Sequence, residues 1–105
     1  MIVHFEKSYL KELYECGQSN DKAHRYQPQI VKKYTKVINL MKSEVNTQEL
    51  IKYKSLHYEH LQGNKKGISS VRVNDQYRVE FIEEFEGEEQ IANICNIIEL
   101  SNHYK

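Results

Sequence analysis

Four residues have the strongest claim on chemistry: Glu59, Arg72, Arg78 and His103. The stretch GISSVRVNDQYRVEF, Gly67 to Phe81, reads as two strands around a turn, with one of the two arginines on each strand. Glu59 precedes it, and His103 stands among the last residues of the chain, NHYK. A carboxylate, an arginine and a histidine around one concave face have a specific use. RNA is cleaved without metal when a base takes the 2′-OH proton and the 2′ oxygen attacks the adjacent phosphate. An arginine stabilises the charge that builds on the phosphoryl oxygens, and an acid protonates the departing 5′ oxygen. Taken singly, each group has a plainer reading, Glu59 as a solvated strand residue and His103 as an inert one near a chain end.

The register of the two strands decides which side chains share a face. A two-residue loop at Asn74-Asp75 mixes apolar and charged residues on both faces. A three-residue loop, Asn74 to Gln76, pairs Val73 with Tyr77, Val71 with Val79 and Ser69 with Phe81. One face is then nearly all apolar, although glycine is missing where this loop type favours it. The other face sets Arg72 opposite Arg78 and Ser70 opposite Glu80. Like charges placed opposite each other destabilise a sheet. Two readings are open: a solvated pair that splays apart at a cost of a few tenths of a kcal/mol, or a receptor for phosphate.

Around this hairpin the chain of 105 residues is long enough for one domain, 1–105, and one modest core. Hydrophobic residues make up 39% and charged residues 29%, an ordinary balance with no apolar run long enough for a membrane span. The first residues meet charge at Glu6 and Lys7, which argues against a secretory signal. Cys16 and Cys95 form no CxxC and read as free thiols in a reducing cytoplasm. The zero net charge is an average over three zones. Two basic residues stand against four acidic ones in 1–21, twelve against four in 22–78, and one against seven in 79–105. The basic middle fits either a polyanion partner or a solvated helix surface. The acidic EEFEGEE, Glu83 to Glu89, reads as a solubilising turn.

MIVHF is a short strand candidate. Residues 6–16 carry Tyr9, Leu10 and Leu13 at helical spacing before Gly17, and Pro28 opens a second helix to about Ser43 along the stripe Ile30, Val31, Tyr34, Val37, Ile38, Met41. A short helical turn is expected from Thr47. LHYEHL, Leu56 to Leu61, is a strand candidate ending in the turn QGNKKG, and IANICNIIEL is apolar enough for the middle of a sheet. The order implies an α+β domain with helices on one face of a mostly antiparallel sheet. His57 and His60 would point to opposite faces of a strand, which makes them a poor zinc pair, and no metal or cofactor is expected.

YEHLQGNKKGISSVRVNDQYRVEF and the terminal IIELSNHYK resemble the RelE/ParE superfamily of bacterial toxins, HigB-type plasmid maintenance killer proteins above all, with YoeB-like active-site features. The resemblance implies a RelE-like (microbial-RNase-like) fold and a type II toxin that is a ribosome-dependent mRNA endoribonuclease in the cytoplasm. Its partners would be messenger RNA, the ribosome and a HigA-like helix-turn-helix antitoxin. Matched by position, Glu59 is the general base, Arg78 holds the scissile phosphate, His103 is the general acid and Tyr104 positions a base. Arg72, Lys54, Lys65, Lys66 and Lys105 fall to RNA binding. The alternative within the superfamily is a ParE-like toxin that inhibits DNA gyrase without being an enzyme. The chain departs from HigB relatives in placing His57 and His60 on either side of Glu59, where they often have a histidine, so both stay open as participants in catalysis. It also has Ser69 where an aromatic is frequent, and Asn-His-Tyr where Asp-Tyr-His is a common ending. The basic face is a natural docking place for acidic antitoxin residues.

Overall fold

The computed structural model describes residues 1–88 and 90–102. Strand β1 (Ile2–Phe5) leads into α1 (Ser8–Cys16), which buries Tyr9, Leu10 and Leu13. The helix starts two residues later than its spacing suggested and stops at Gly17. There a φ of 76° suits glycine, and the Gly17 N–H donates to the Leu13 carbonyl at 3.1 Å. α2 (Pro28–Ser43) has Pro28 in its first turn and buries the six residues of the expected stripe. The buried Tyr34 hydroxyl donates to the Leu10 carbonyl at 2.8 Å and ties the two helices together. Among the described residues, no helix is long and apolar enough to cross a membrane.

Four more strands follow: β2 (Glu59–His60), β3 (Ser69–Arg72), β4 (Tyr77–Glu84) and β5 (Ile94–Asn102). The sheet order is β1-β5-β4-β3-β2, with β1 parallel to β5 and every other pair antiparallel. Its inner face supplies Val71, Val79, Phe81, Cys95, Ile97 and Leu100 to one core with the helices. β5 is the strongly apolar strand expected inside the sheet, though it begins at Ile94 rather than Ile91.

β5 carries one irregularity. Glu80 faces Glu99, yet Phe81 faces Ile97, so Ile98 is an extra residue. The bulge shifts the alternation by one and brings Leu100, not Glu99, into the core. Beyond β1, the backbone of Leu100 meets two side chains from the helical side. Its carbonyl accepts from the Tyr26 hydroxyl at 2.9 Å, and its N–H donates to the Tyr9 oxygen at 3.4 Å.

The β3–β4 hairpin has the register that its apolar face demands: Ser69 with Phe81, Val71 with Val79, Arg72 with Arg78. The Val73 N–H bonds the Tyr77 carbonyl at 2.9 Å across the three-residue loop. The loop does without glycine because Asn74 Oδ1 accepts from the N–H groups of Gln76 and Tyr77 at 2.9 and 2.8 Å.

The expected strand at 56–61 is a correction. A 3₁₀ turn at Lys54–Leu56 ends in His57, whose φ of 45° places it in the left-handed region, and pairing begins only at Glu59. Leu56 and Leu61 are both buried. In a straight strand, residues five apart point to opposite faces, so the chain must turn between them. The expected turn at Thr47 is a 3₁₀ helix, Thr47–Lys52.

Candidate active site

The short β2 sets Glu59 beside Ser70, and β3 sets Ser70 beside Glu80 and Arg72 beside Arg78. Arg78 is far from solvated, with its side chain only 5% exposed, while that of Glu59 is 51% exposed. Arg78 Nη1 lies 3.0 Å from Glu59 Oε1 and also donates to the Ser70 hydroxyl. A charge-assisted contact of this kind fixes the planar guanidinium and leaves Glu59 reachable from solvent.

Arg72 turns the other way. It pairs with Asp75, and its Nη1 lies 3.5 Å from His57 Nε2. His57, Arg72, Asp75 and Arg78 line a cleft of about 260 Å³. Each arginine thus has its own carboxylate, and the repulsion expected of the facing pair is offset. The left-handed His57 is part of this cleft, which its position in the sequence did not reveal.

His60 is not. It lies on the other side of β2, with Nε2 3.0 Å from Glu83 Oε2. The two histidines that flank Glu59 therefore separate, one at the cleft and one behind the sheet. Among the described residues no three His, Cys, Asp or Glu side chains gather as a metal cage requires.

The lysines divide as well. Lys65 Nζ lies 2.7 Å from Glu80 Oε2, and the Glu80 side chain is only 5% exposed, so this lysine neutralises a buried carboxylate. Lys54 and Lys66 are exposed on turns. His103, Tyr104 and Lys105 fall outside the described residues. Sequence reading passed over Lys33 and Lys36 except as part of the basic block. They face a groove of about 450 Å³ that reaches the β3–β4 loop and shares Arg72 and Asp75 with the cleft. The signal was their i, i+3 spacing on the polar side of α2.

Glu83 is no solubilising residue. It sits on β4, and its Oε2 accepts from the hydroxyls of Tyr58 and Ser69 while facing His60. Burial pushes its carboxyl up, but the hydrogen bonds from Ser69, Tyr58 and Thr47 and the nearby His60 outweigh that and hold it below the ordinary range. Burial, reinforced by Glu83, pushes the Tyr58 hydroxyl up. Cys95, facing Glu83 across the strands, has its thiol pushed up to about 12 by burial, whereas Cys16 is exposed.

The chain as a whole is similar to known proteins in three ways. The model of a family described as the RelE-like toxin of the type II toxin–antitoxin system HigB matches residues 3–97. Toxin HigB-1 of Vibrio cholerae serotype O1 is 32% identical over 82 residues, covering 77% of this chain and 82% of that protein. A solved YoeB/ParE toxin from Agrobacterium tumefaciens superposes with a TM-score of 0.57 over 99% of this chain and 100% of its own, at 17% identity, a likeness of fold.

Proposed function

Because the chain belongs to the HigB-like family of RelE-like toxins of type II toxin–antitoxin systems, we propose that it cleaves messenger RNA on the ribosome, without metal, at a phosphate held by Arg78. The observation that carries this reading is the Glu59–Arg78 pair, a reachable carboxylate 3.0 Å from a guanidinium locked in the sheet at the edge of a cleft.

The roles follow from that geometry. Glu59 removes the 2′-OH proton, and the 2′ oxygen forms a bond to the neighbouring phosphorus. Arg78 stabilises the negative charge that gathers on the non-bridging oxygens, and its fixed orientation avoids reorganisation during the step. The bond to the 5′ oxygen breaks as that oxygen receives a proton, a role for which the family resemblance offers His103, with Tyr104 positioning a base. The products are a 2′,3′-cyclic phosphate and a 5′-hydroxyl. Arg72 supports the flanking phosphate, and Lys54, Lys66 and Lys105 add charge along the RNA backbone. Lys65 acts through Glu80 rather than as an RNA contact of its own.

A type II toxin has an antitoxin partner; here we take it to be a HigA-like helix-turn-helix protein, with the ribosome in the cytoplasm as the site of action. The test is induction of the chain followed by primer-extension mapping of transcripts. Expected are cuts ending in 2′,3′-cyclic phosphate that disappear with Glu59→Ala and Arg78→Ala. Growth arrest by both variants equal to wild type, or intact transcripts with stalled gyrase, would overturn the reading.

A further inference from the structure

We propose that Glu83 is a positioning residue for the Glu59 carboxylate, acting from the opposite face of the sheet through β2; the inference builds on the reading of Glu59 as the base.

β2 is two residues long and lies at the edge of the sheet, paired through Glu59–Ser70 and His60–Ser69 and followed by the bond from the Leu61 N–H to the Ile68 carbonyl at 2.8 Å. Pairing this short does little to fix the direction of a side chain. Neighbouring residues on a strand point to opposite faces. Glu59 points to Arg78, while Tyr58 and His60 point behind the sheet, where Tyr58 stacks near Phe81 at a centroid distance of 6.3 Å. Both of these neighbours converge on one atom. Glu83 Oε2 receives the Tyr58 hydroxyl, lies 3.0 Å from His60 Nε2, and is anchored to β3 by the Ser69 hydroxyl. The residues before and after Glu59 are therefore tied to a carboxylate on β4, two strands away.

The anchor is well placed to be rigid. The Glu83 side chain is 16% exposed against 67% for His60, so water competes for the carboxylate only from the outer side. The Tyr58–His60 segment, β3 and β4 thus meet at Glu83, and β3 and β4 are each held by longer ladders than the two-residue β2.

The test compares Glu83→Gln with Tyr58→Phe, a milder change that keeps the carboxylate, and uses Glu59→Ala as reference. In wild-type protein the Arg78 guanidinium should give a distinct NMR signal because it is buried and ion-paired. Both rear-face variants are expected to move that signal toward the one seen in Glu59→Ala, although neither touches the open face. Exchange of the Leu61 amide, bonded to the Ile68 carbonyl at 2.8 Å, should speed up while Val79 and Ile97 stay protected. Cleavage should lose roughly 10- to 100-fold in kcat with KM unchanged. An unmoved Arg78 signal overturns the proposal, as does loss of protection across the whole sheet or a rise in KM alone. If Glu59→Ala cleaves normally, the catalytic reading falls, but the Arg78 signal still decides whether Glu83 positions Glu59.

Discussion

Arg72 and Arg78 are direct partners across the β3–β4 hairpin, yet among the described residues each pairs with a different carboxylate: Arg78 with Glu59 and Arg72 with Asp75. Two like charges become tolerable because each is compensated on its own side. The arrangement also separates them in kind. One guanidinium is buried and fixed, and the other is partly exposed at the mouth of the cleft.

The fixed one should matter most for rate. Arg78→Ala is expected to lower kcat for transcript cleavage by the equivalent of about 2.7–4 kcal/mol, the range for a lost donor to a developing charge. Arg78→Lys should recover only part of it, since an ammonium cannot hold Ser70, Glu59 and a phosphate in one plane. Single-turnover cleavage on programmed ribosomes measures both.

Arg72 should act on binding. For Arg72→Ala we expect weaker association with a single-stranded RNA oligonucleotide, and a salt dependence of log K shallower by about 0.7 for the one phosphate contact removed. Fluorescence anisotropy at several salt concentrations reads the slope. An unchanged slope would remove Arg72 from the phosphate path.

Lys65→Ala should cost stability, because it leaves the buried Glu80 carboxylate without its ammonium. A loss of about 1–3 kcal/mol is expected from the abandoned group, and adding Glu80→Gln should restore part of it. Urea unfolding of the two variants against wild type is the measurement.

The acid limit of stability should carry a mark of Glu83. Its carboxyl lies below the ordinary 4.5 in the folded chain, so its contribution is complete above that value and is lost as pH falls through the lower folded one. The stability gap between wild type and Glu83→Gln should therefore be widest near neutrality and close as the pH drops well under 4.5. Unfolding curves from pH 6 down to about pH 3 would reveal it.

Much of the scaffold was legible because one face of each element has to be apolar. The stripe Ile30 to Met41 sets α2, and the alternation of Val71, Val79 and Phe81 sets the hairpin register. The resemblance of the carboxy-terminal half to RelE/ParE toxins anticipated the fold. Hidden were the features that depend on long-range partners. Glu80 and Glu83 look like surface residues in a run of glutamates, and only the strands beside them supply Lys65, Ser69 and Tyr58. Likewise, LHYEHL has the composition of a strand, but two leucines five residues apart that both need burial force a 3₁₀ turn and a left-handed His57. That turn carries His57 into the cleft and leaves β2 only two residues long.

The end of β5 has one further consequence. Past the bulge the strand has outrun β1, and a bare edge there would be an invitation for another chain to pair. Tyr9 and Tyr26 instead spend their hydroxyls on the backbone of Leu100. Two phenol rings stand in for the β1 neighbour that has ended, so the backbone of Leu100 is closed off by side chains where no strand lies beside it.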